Sequence, residues 1–367
     1  MASTAVAVAV VGAGIVGLAV THALLERGAD VVCLDHGEPG QGQSAGSTRV
    51  FRHLVATPAL AAMAAEARTA WEAWSERAGE RLLSADGWLR LGGDRPADLA
   101  LLRGAGVPAT ELDPDEALER MPLIARPEQP LLLDPLGGHT RADAAIAALV
   151  RWVRPALVRA RVEEIGIDAG GDGVTLRTSE GTHACARCIV CAGPGTDRLA
   201  ATAGLEIRQH RRAHLRLTFR RRDGARTPLP AWSDRSELYG ELVYGLPAEP
   251  GTYALGIASL EAYPEAAPDS EDVPPDTDVS EARGRIVAYV RRAFPGLEPE
   301  PVGEVLRLTT RLPERIDDAF ALWREGPVAA FAGGNLFKFA PLLGERIAAA
   351  ALGEEVEIFP GEPAGRA

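Results

Sequence analysis

The sequence predicts an α/β plus β protein, a Rossmann-type dinucleotide-binding unit that carries an inserted antiparallel or mixed sheet. Three observations predict it. A strand, glycine-rich turn and helix open the chain at residues 5–27, the same order closes it at residues 328–352, and the middle reads mostly as short strands between turns. At 367 residues the chain exceeds the roughly 250–300 at which one hydrophobic core stops growing, so about two domains are expected. Hydrophobic residues make up 46% and charged residues 25%, the balance of an ordinary folded protein rather than a disordered or membrane chain.

Residues 5–11 are small and β-branched, Gly12-Ala-Gly14-Ile-Val-Gly17 follows, and residues 18–27 repeat apolar side chains at helical spacing: strand, tight turn, helix. Gly28 suits the helix C-cap, and residues 30–35 form a second apolar strand ending in Asp35. Residues 37–47, rich in Gly, Gln and Ser, read as a loop. Residues 58–77 are alanine-rich at helical period, with Thr57 as N-cap and Pro58 in the first helical position. From 79 to 138 the pattern breaks into short strands and turns, among them 88–92 and 131–135. Helix returns at 141–153, and 158–167, 173–177 and 185–192 read as successive strands, the last closed by Ala192-Gly-Pro-Gly195. Residues 211–219, 242–246 and 252–257 read as strands of a second sheet, 262–278 as a solvated loop, 280–294 as helix and 302–309 as strand. The first unit is therefore expected to be discontinuous, built from 1–80, 140–205 and 320–367, with the inserted domain at 81–139 and 206–319.

The formal net charge is −12 and no basic run is present, which argues against nucleic acid as a partner and leaves any anionic ligand to locally placed cations. The apolar start, residues 1–20, lacks a basic leader region and is interrupted by Gly12, Gly14 and Gly17, so it reads as folded structure rather than a signal peptide. No stretch approaches the roughly 18 uncharged apolar residues of a membrane span. No membrane association and a cytoplasmic location are expected. Cys185, Cys188 and Cys191 resemble a metal or cluster spacing. A fourth ligand is missing nearby and Cys188-Ile-Val-Cys191 reads as a buried parallel strand, so no metal site is expected. Lys338 is the only lysine among the 39 cationic side chains. A chain that otherwise uses arginine throughout, yet keeps one ammonium, points to a place that wants a compact cation on a thin stem.

Gly12, Gly14 and Gly17 suit a backbone that turns sharply, approaches a pyrophosphate and lets the helix pack on the strand. The helix N-terminus then offers its free amides to phosphate. Alone the pattern is weak in a chain of 39 glycines. Here a strand precedes it, a helix follows it, and Asp35 ends the next strand, placed to accept from ribose hydroxyls. A dinucleotide is expected, with plain packing of the strand–helix–strand unit as the alternative. Arg49 and Arg52, three apart directly after the glycine-rich loop, fit two neighbours on one face of a helical turn, or a charged solvent face.

With these residues in place the chain resembles the D-amino-acid oxidase superfamily, and within it the branch of monomeric sarcosine oxidase, N-methyltryptophan oxidase and glycine oxidase. The resemblance runs over essentially the whole chain and four segments carry it. Val10-Val-Gly-Ala-Gly-Ile-Val-Gly17 with Asp35 resembles the family's FAD fingerprint. Gly46-Ser-Thr-Arg49-Val-Phe-Arg52 resembles the segment that crosses the flavin, implying Arg49 beside the isoalloxazine and Arg52 as a ligand of the substrate carboxylate. Ile189-Val-Cys-Ala-Gly193 resembles the strand and turn ahead of the return to the flavin domain, with Val162 implied as an adenine contact. Gly333-Gly-Asn-Leu-Phe-Lys338-Phe resembles the C-terminal flavin-binding turn, whose lysine is the second carboxylate ligand in the sarcosine oxidase branch. A single lysine placed at random among 39 cationic positions would land there about one time in forty. The resemblance further implies FAD contacts from Gly12, Gly14, Ile15, Val16 and Gly17, from Asp35 and His36, and from Gln43, Ser44, Ser47, Thr48 and Arg49. Ala192, Gly193, Gly333, Gly334, Asn335, Leu336, Phe337 and Lys338 complete the implied set. Tyr244 resembles the family's tyrosine over the substrate pocket, although its residues alone equally suit a half-buried strand aromatic.

What the resemblance implies is an FAD-dependent amine oxidase. A small amino-acid-like substrate, by preference an N-substituted glycine, would be held by Arg52 and Lys338 and oxidised at its C–N bond to an imine that hydrolyses, with O2 yielding hydrogen peroxide. A monomer or homodimer is expected. Where sarcosine oxidases carry the cysteine joined to FAD this chain has Arg307, so FAD is expected to be non-covalent. The family's histidine pair before Arg49 is replaced by Ser44-Ala45, and the lysine that helps oxygen accept electrons aligns near Ala254. The acceptor therefore stays open between O2, with Arg307 supplying the positive charge, and a quinone or protein in a dehydrogenase; a non-redox nucleotide-binding protein is the third class. Ser44, Ala45, Ala254 and Ala258 are expected to leave room for a larger N-substituent.

Overall fold

The computed structural model describes residues 6–225, 227–267, 270–313 and 318–360. Residue 5, the expected start of the first strand, residues 268–269 of the expected loop, and residues 361–367, the expected tail of the first unit, lie outside them.

Strand Val6–Val11 lies between Val31–Asp35 and Gly181–Val190, parallel to both. Leu157–Arg159 and Val328–Gly333 extend the ladder in parallel on either side, and Phe320–Glu325 closes one edge antiparallel. Val8 to Val11, Val31 to Leu34 and Cys188 to Val190 are buried, because helices cover both faces; strands in that position are unbroken apolar runs rather than alternating ones. Helices Ile15–Glu26, Ala142–Val153 and Ala340–Ala351 pack on one face. Helix Thr196–Thr202 and the hairpin of Val162–Ile167 and Val174–Thr178 pack on the other. The strand expected over 158–167 is thus two strands: the chain leaves the parallel ladder after Arg159 and pairs from Val162 with the hairpin.

The second sheet runs Leu297–Arg311, His210–Arg221, Thr252–Ile257, Val243–Pro247, Ala231–Arg235, Trp88–Gly92, Leu131–Asp134, Thr110–Leu112. Its pairs are antiparallel except Ala231–Arg235 with Trp88–Gly92, which is parallel. It is the expected mixed sheet. Period-two alternation divides its side chains. In His210–Arg221, Leu215, Leu217 and Phe219 enter a core shared with helix Ser280–Ala293, while His214 and Arg216 line a groove between the two sheets.

Two local expectations are corrected. Residues 79–138 hold helices Arg95–Gly104 and Pro114–Arg120 besides strands, each opened by an aspartate cap, Asp94 or Asp113, that accepts from a backbone N–H of the first turn. Arg49 and Arg52 do not share a helical turn. Thr48–Phe51 is a strand paired antiparallel with Gly138–Arg141, and Arg52 follows directly after its end.

Helix Pro58–Ala78 begins as expected, Thr57 Oγ1 accepting from Leu60 N at 3.2 Å. Its Trp71 ties the two ends of the chain together: Nε1 donates to the Lys338 carbonyl at 2.8 Å and the ring stacks on Phe337 at 6.0 Å. Among the described residues no helix is long and apolar enough to cross a membrane. Trp71→Phe should keep the ring stack but remove the indole N–H that donates to the Lys338 carbonyl, costing about 1–3 kcal/mol; a lowered urea midpoint measures it.

Candidate active site

The groove opens where the parallel strands end at their C-terminal edge, the usual ligand position of such sheets. Its volume is about 1090 Å³, just above the roughly 300–1,000 Å³ of small-molecule sites. Gly12, at φ +104°, and Gly17 build its floor. A Cβ on Gly12 would stand 2.5 Å from the Cys191 carbonyl oxygen, and one on Gly17 only 1.8 Å from the Gly12 oxygen. The turn and the helix start approach too closely for any side chain. Asp35 braces this turn, accepting from Ala13 N at 2.6 Å and Gly37 N at 2.8 Å, and Ser44 Oγ accepts from Ile15 N at 2.9 Å. Helix Ile15–Glu26 has glycine as its N-cap and no side-chain cap, which leaves amides to be met by an anion.

Of the cofactor residues expected from sequence, all line the groove except Gly17, Ser47 and Thr48. Gly17 packs beneath Gly12. The Ser47 carbonyl accepts from Ala142 N, and the Thr48 carbonyl accepts from Arg49 Nη1 at 2.9 Å and Arg216 Nη1 at 3.0 Å. These two hold the wall from behind.

Positive charge gathers on one part of that wall. Arg49 is half-buried and donates to the carbonyls of Gln43, Ala45 and Thr48. Burial, then Arg216 and Arg307, bring its guanidinium down to about 9. His214, opposite Arg307 in the strand ladder, is pushed down to about 4 by burial and by Arg216 and Arg49, so it is neutral at neutral pH. Its Nε2 lies 3.4 Å from the Tyr244 hydroxyl and the rings stack at 5.6 Å. Gly256, opposite Tyr244, makes the space: a Cβ there would stand 2.6 Å from the hydroxyl. Gln209 Oε1 and Arg307 Nε, both on groove residues, are buried without a hydrogen-bond partner. Three guanidiniums that repel one another, with orphaned polar atoms beside them, fit a polar anionic ligand.

Arg52 and Lys338, 286 positions apart in the sequence, meet on the same wall through Asp318. Lys338 Nζ is 3.2 Å from Asp318 Oδ1, and Arg52 Nη2 is 3.9 Å from Oδ2. The residue after Arg52 is pinned, His53 N and Nδ1 lying 3.0 and 2.8 Å from Asp134 Oδ2, and the Arg52 guanidinium lies 5.9 Å from the Trp88 ring centroid. Burial pushes the Asp318 carboxyl up, but Lys338, Arg52 and hydrogen bonds from Asn335 and Lys338 outweigh it and hold it at about 2.

Sequence reasoning missed Asp318, Arg216 and His214. The last two carried a signal, the polar positions in His214-Leu-Arg216-Leu; Asp318 carried none. Arg307 reaches the groove as expected, its Nη1 donating to the Gly42 carbonyl at 3.1 Å. Of the four small residues expected to enlarge the pocket, Ser44 and Ala258 line it, while Ala254 is fully buried in a core and Ala45 is also off the groove wall.

The family described as DAO, FAD dependent oxidoreductase, matches residues 7–350. N-methyl-L-tryptophan oxidases of Salmonella enteritidis and Salmonella typhimurium are 26% identical over 361 residues, 94% of each chain. NikD, an unusual amino acid oxidase essential for nikkomycin biosynthesis, has the same fold at TM-score 0.83, 23% identity, over 99% of this chain and 98% of its own. Glycine oxidase from Geobacillus kaustophilus follows at TM-score 0.77 and 21% identity over 99% of both chains. The chain belongs to the DAO family of FAD-dependent oxidoreductases. FAD is that family's cofactor, and the glycine floor, uncapped helix start and basic wall fit it.

Gly17→Val should therefore yield protein that purifies with less than about a tenth of the wild-type flavin absorbance, because helix and turn must separate. His214, lowered from 6.5 to about 4, contributes stability that is complete above pH 6.5 and is lost as pH falls toward 4. His214→Asn should remove roughly 3 kcal/mol of that acid-side loss, read from urea midpoints across the range.

Proposed function

We propose that this DAO family member oxidises the C–N bond of a small amine bearing one carboxylate, by preference an N-substituted glycine, and passes the electrons to dioxygen. The observation that carries the proposal is the meeting of Arg52 with the chain's only lysine on the groove wall. Each supplies a charge-assisted hydrogen bond to a carboxylate worth roughly 1.5–3 kcal/mol. Relatives named as oxidases of N-methyl-L-tryptophan and of glycine point to the same kind of substrate.

Bound FAD would supply the two-electron acceptor. The chain's own residues do the rest. Arg52 and Lys338 would fix the carboxylate so that the C–H bond beside nitrogen faces the cofactor, and this positioning is the main catalytic effect. Burial raises the Tyr244 hydroxyl above its ordinary range, so beside neutral His214 it keeps its proton and serves as a hydrogen-bond donor. Arg49, Arg216 and Arg307 offer fixed positive charge where negative charge develops. The amine loses two electrons and two protons, water hydrolyses the imine to an amine and a carbonyl product, and dioxygen takes the two electrons and two protons as hydrogen peroxide. With Arg307 at the position of the family's flavin-linking cysteine, FAD is held without a covalent bond. The sheet around Val6–Val11 would form the FAD domain (1–80, 140–205, 320–367), and the second sheet the substrate domain (81–139, 206–319).

A second reading is a dehydrogenase with a quinone or protein acceptor; fully buried Ala254, standing where the family places a lysine, favours it. Anaerobic titration with sarcosine and longer N-alkylglycines separates the two. Bleaching of the flavin band followed on admission of air by fast recovery with peroxide supports the oxidase. Slow recovery without peroxide supports the dehydrogenase, and no bleaching by any member refutes both. Lys338→Met should raise KM at least tenfold or abolish turnover while leaving the flavin absorbance intact; unaltered KM refutes the carboxylate clamp.

A further inference from the structure

Arg52 and Lys338 line the groove, but Asp318 does not. It stands behind them with its side chain 1% exposed, one carboxylate oxygen toward each cation. The surrounding backbone is unusual: Asp318 has φ +68° and Asn335 φ +53°, a left-handed conformation that residues other than glycine seldom adopt and that marks a geometry held by its surroundings. The Asn335 side chain hydrogen-bonds the same carboxylate. Resting on the carboxylate-clamp reading, we propose that Asp318 is the positioning residue of the clamp. Its buried carboxylate fixes both cations from behind and keeps Lys338 in the ammonium form.

Lys338 is 5% exposed, and burial favours the neutral form of an amine. Arg52, which shares the carboxylate with it, adds repulsion. The Phe339 ring, 5.4 Å away, adds a weak attraction. Asp318 supplies a full negative charge at hydrogen-bond distance.

The lone lysine gives a direct test. Protein labelled with [ε-13C]lysine shows one side-chain signal, whose shift reports protonation of Lys338. In the wild-type holoenzyme it should stay in the ammonium position to at least about pH 9, near the free-lysine range. A midpoint at or below neutral overturns the inference without any variant, and so decides the matter even if substitutions fail to fold. In Asp318→Asn the midpoint should fall by a pH unit or more. KM for an N-alkylglycine should then rise at least tenfold from about pH 7 to about 9, with kcat at saturation and flavin content unchanged. Asp318→Glu should restore the wild-type profile, and Asp318→Asn with Lys338→Arg should flatten it, since a guanidinium stays charged. Unchanged lysine titration and KM in Asp318→Asn, with Lys338→Met still impaired, refute the role of Asp318 alone. Unchanged KM in both refutes the clamp itself.

Discussion

Three adjacent parallel strands hold the rest of the molecule in place. Val6–Val11, Gly181–Val190 and Val328–Gly333 come from the beginning, the middle and the end of the chain, and their ladder registers Val11 with Val190 and Val190 with Ala330. Each strand leaves its C-terminal edge into a turn: Gly12 to Gly17, Ala192-Gly193, and Gly333 to Lys338. Backbone hydrogen bonds and burial on both faces fix the ladder, so three distant turns become one wall. Slipping one strand by a residue would exchange its two faces and displace its turn.

On that wall the protein treats positive charge in two ways. Arg49, Arg216 and Arg307 sit together under mutual repulsion, with Asp272 offsetting part of it at Arg307. Arg52 and Lys338 instead share the buried Asp318. The first arrangement costs stability that a bound anion recovers, and suits a cofactor carrying phosphates and a ring that gains negative charge on reduction. A buried cation with a fixed partner is also a rigid one, and rigidity is what a group that orients substrate requires.

The second sheet contributes through alternation. Leu215, Leu217 and Phe219 pack under helix Ser280–Ala293, and the same strand therefore turns His214 and Arg216 to the groove. Arg49 lies in strand Thr48–Phe51, paired with Gly138–Arg141, and Arg52 follows just after its end; Arg49 stands beside Arg216 and Arg307, and Arg52 beside Asp318. A helical turn would have placed them side by side.

Much of this was legible in the chain. The glycine turn, the apolar strands, the cap at Thr57 and the lone lysine are local patterns with local physical causes, and together with the resemblance they marked most of the residues that line the groove. The extended form of Thr48–Phe51 was not legible, because its partner strand lies some ninety residues away and only pairing decides between strand and turn. The helices capped by Asp94 and Asp113 did carry their signals, within a stretch too broken for periodicity to show. The sequence by itself determined which groups the site contains: a glycine cradle, arginines, one ammonium, one tyrosine. Tertiary structure alone decided their company, that Asp318 joins Arg52 to Lys338 and that Arg216 and His214 stand beside Arg49. Charges interact through space, over distances that fall away within a few ångströms, and no spacing along the chain records them.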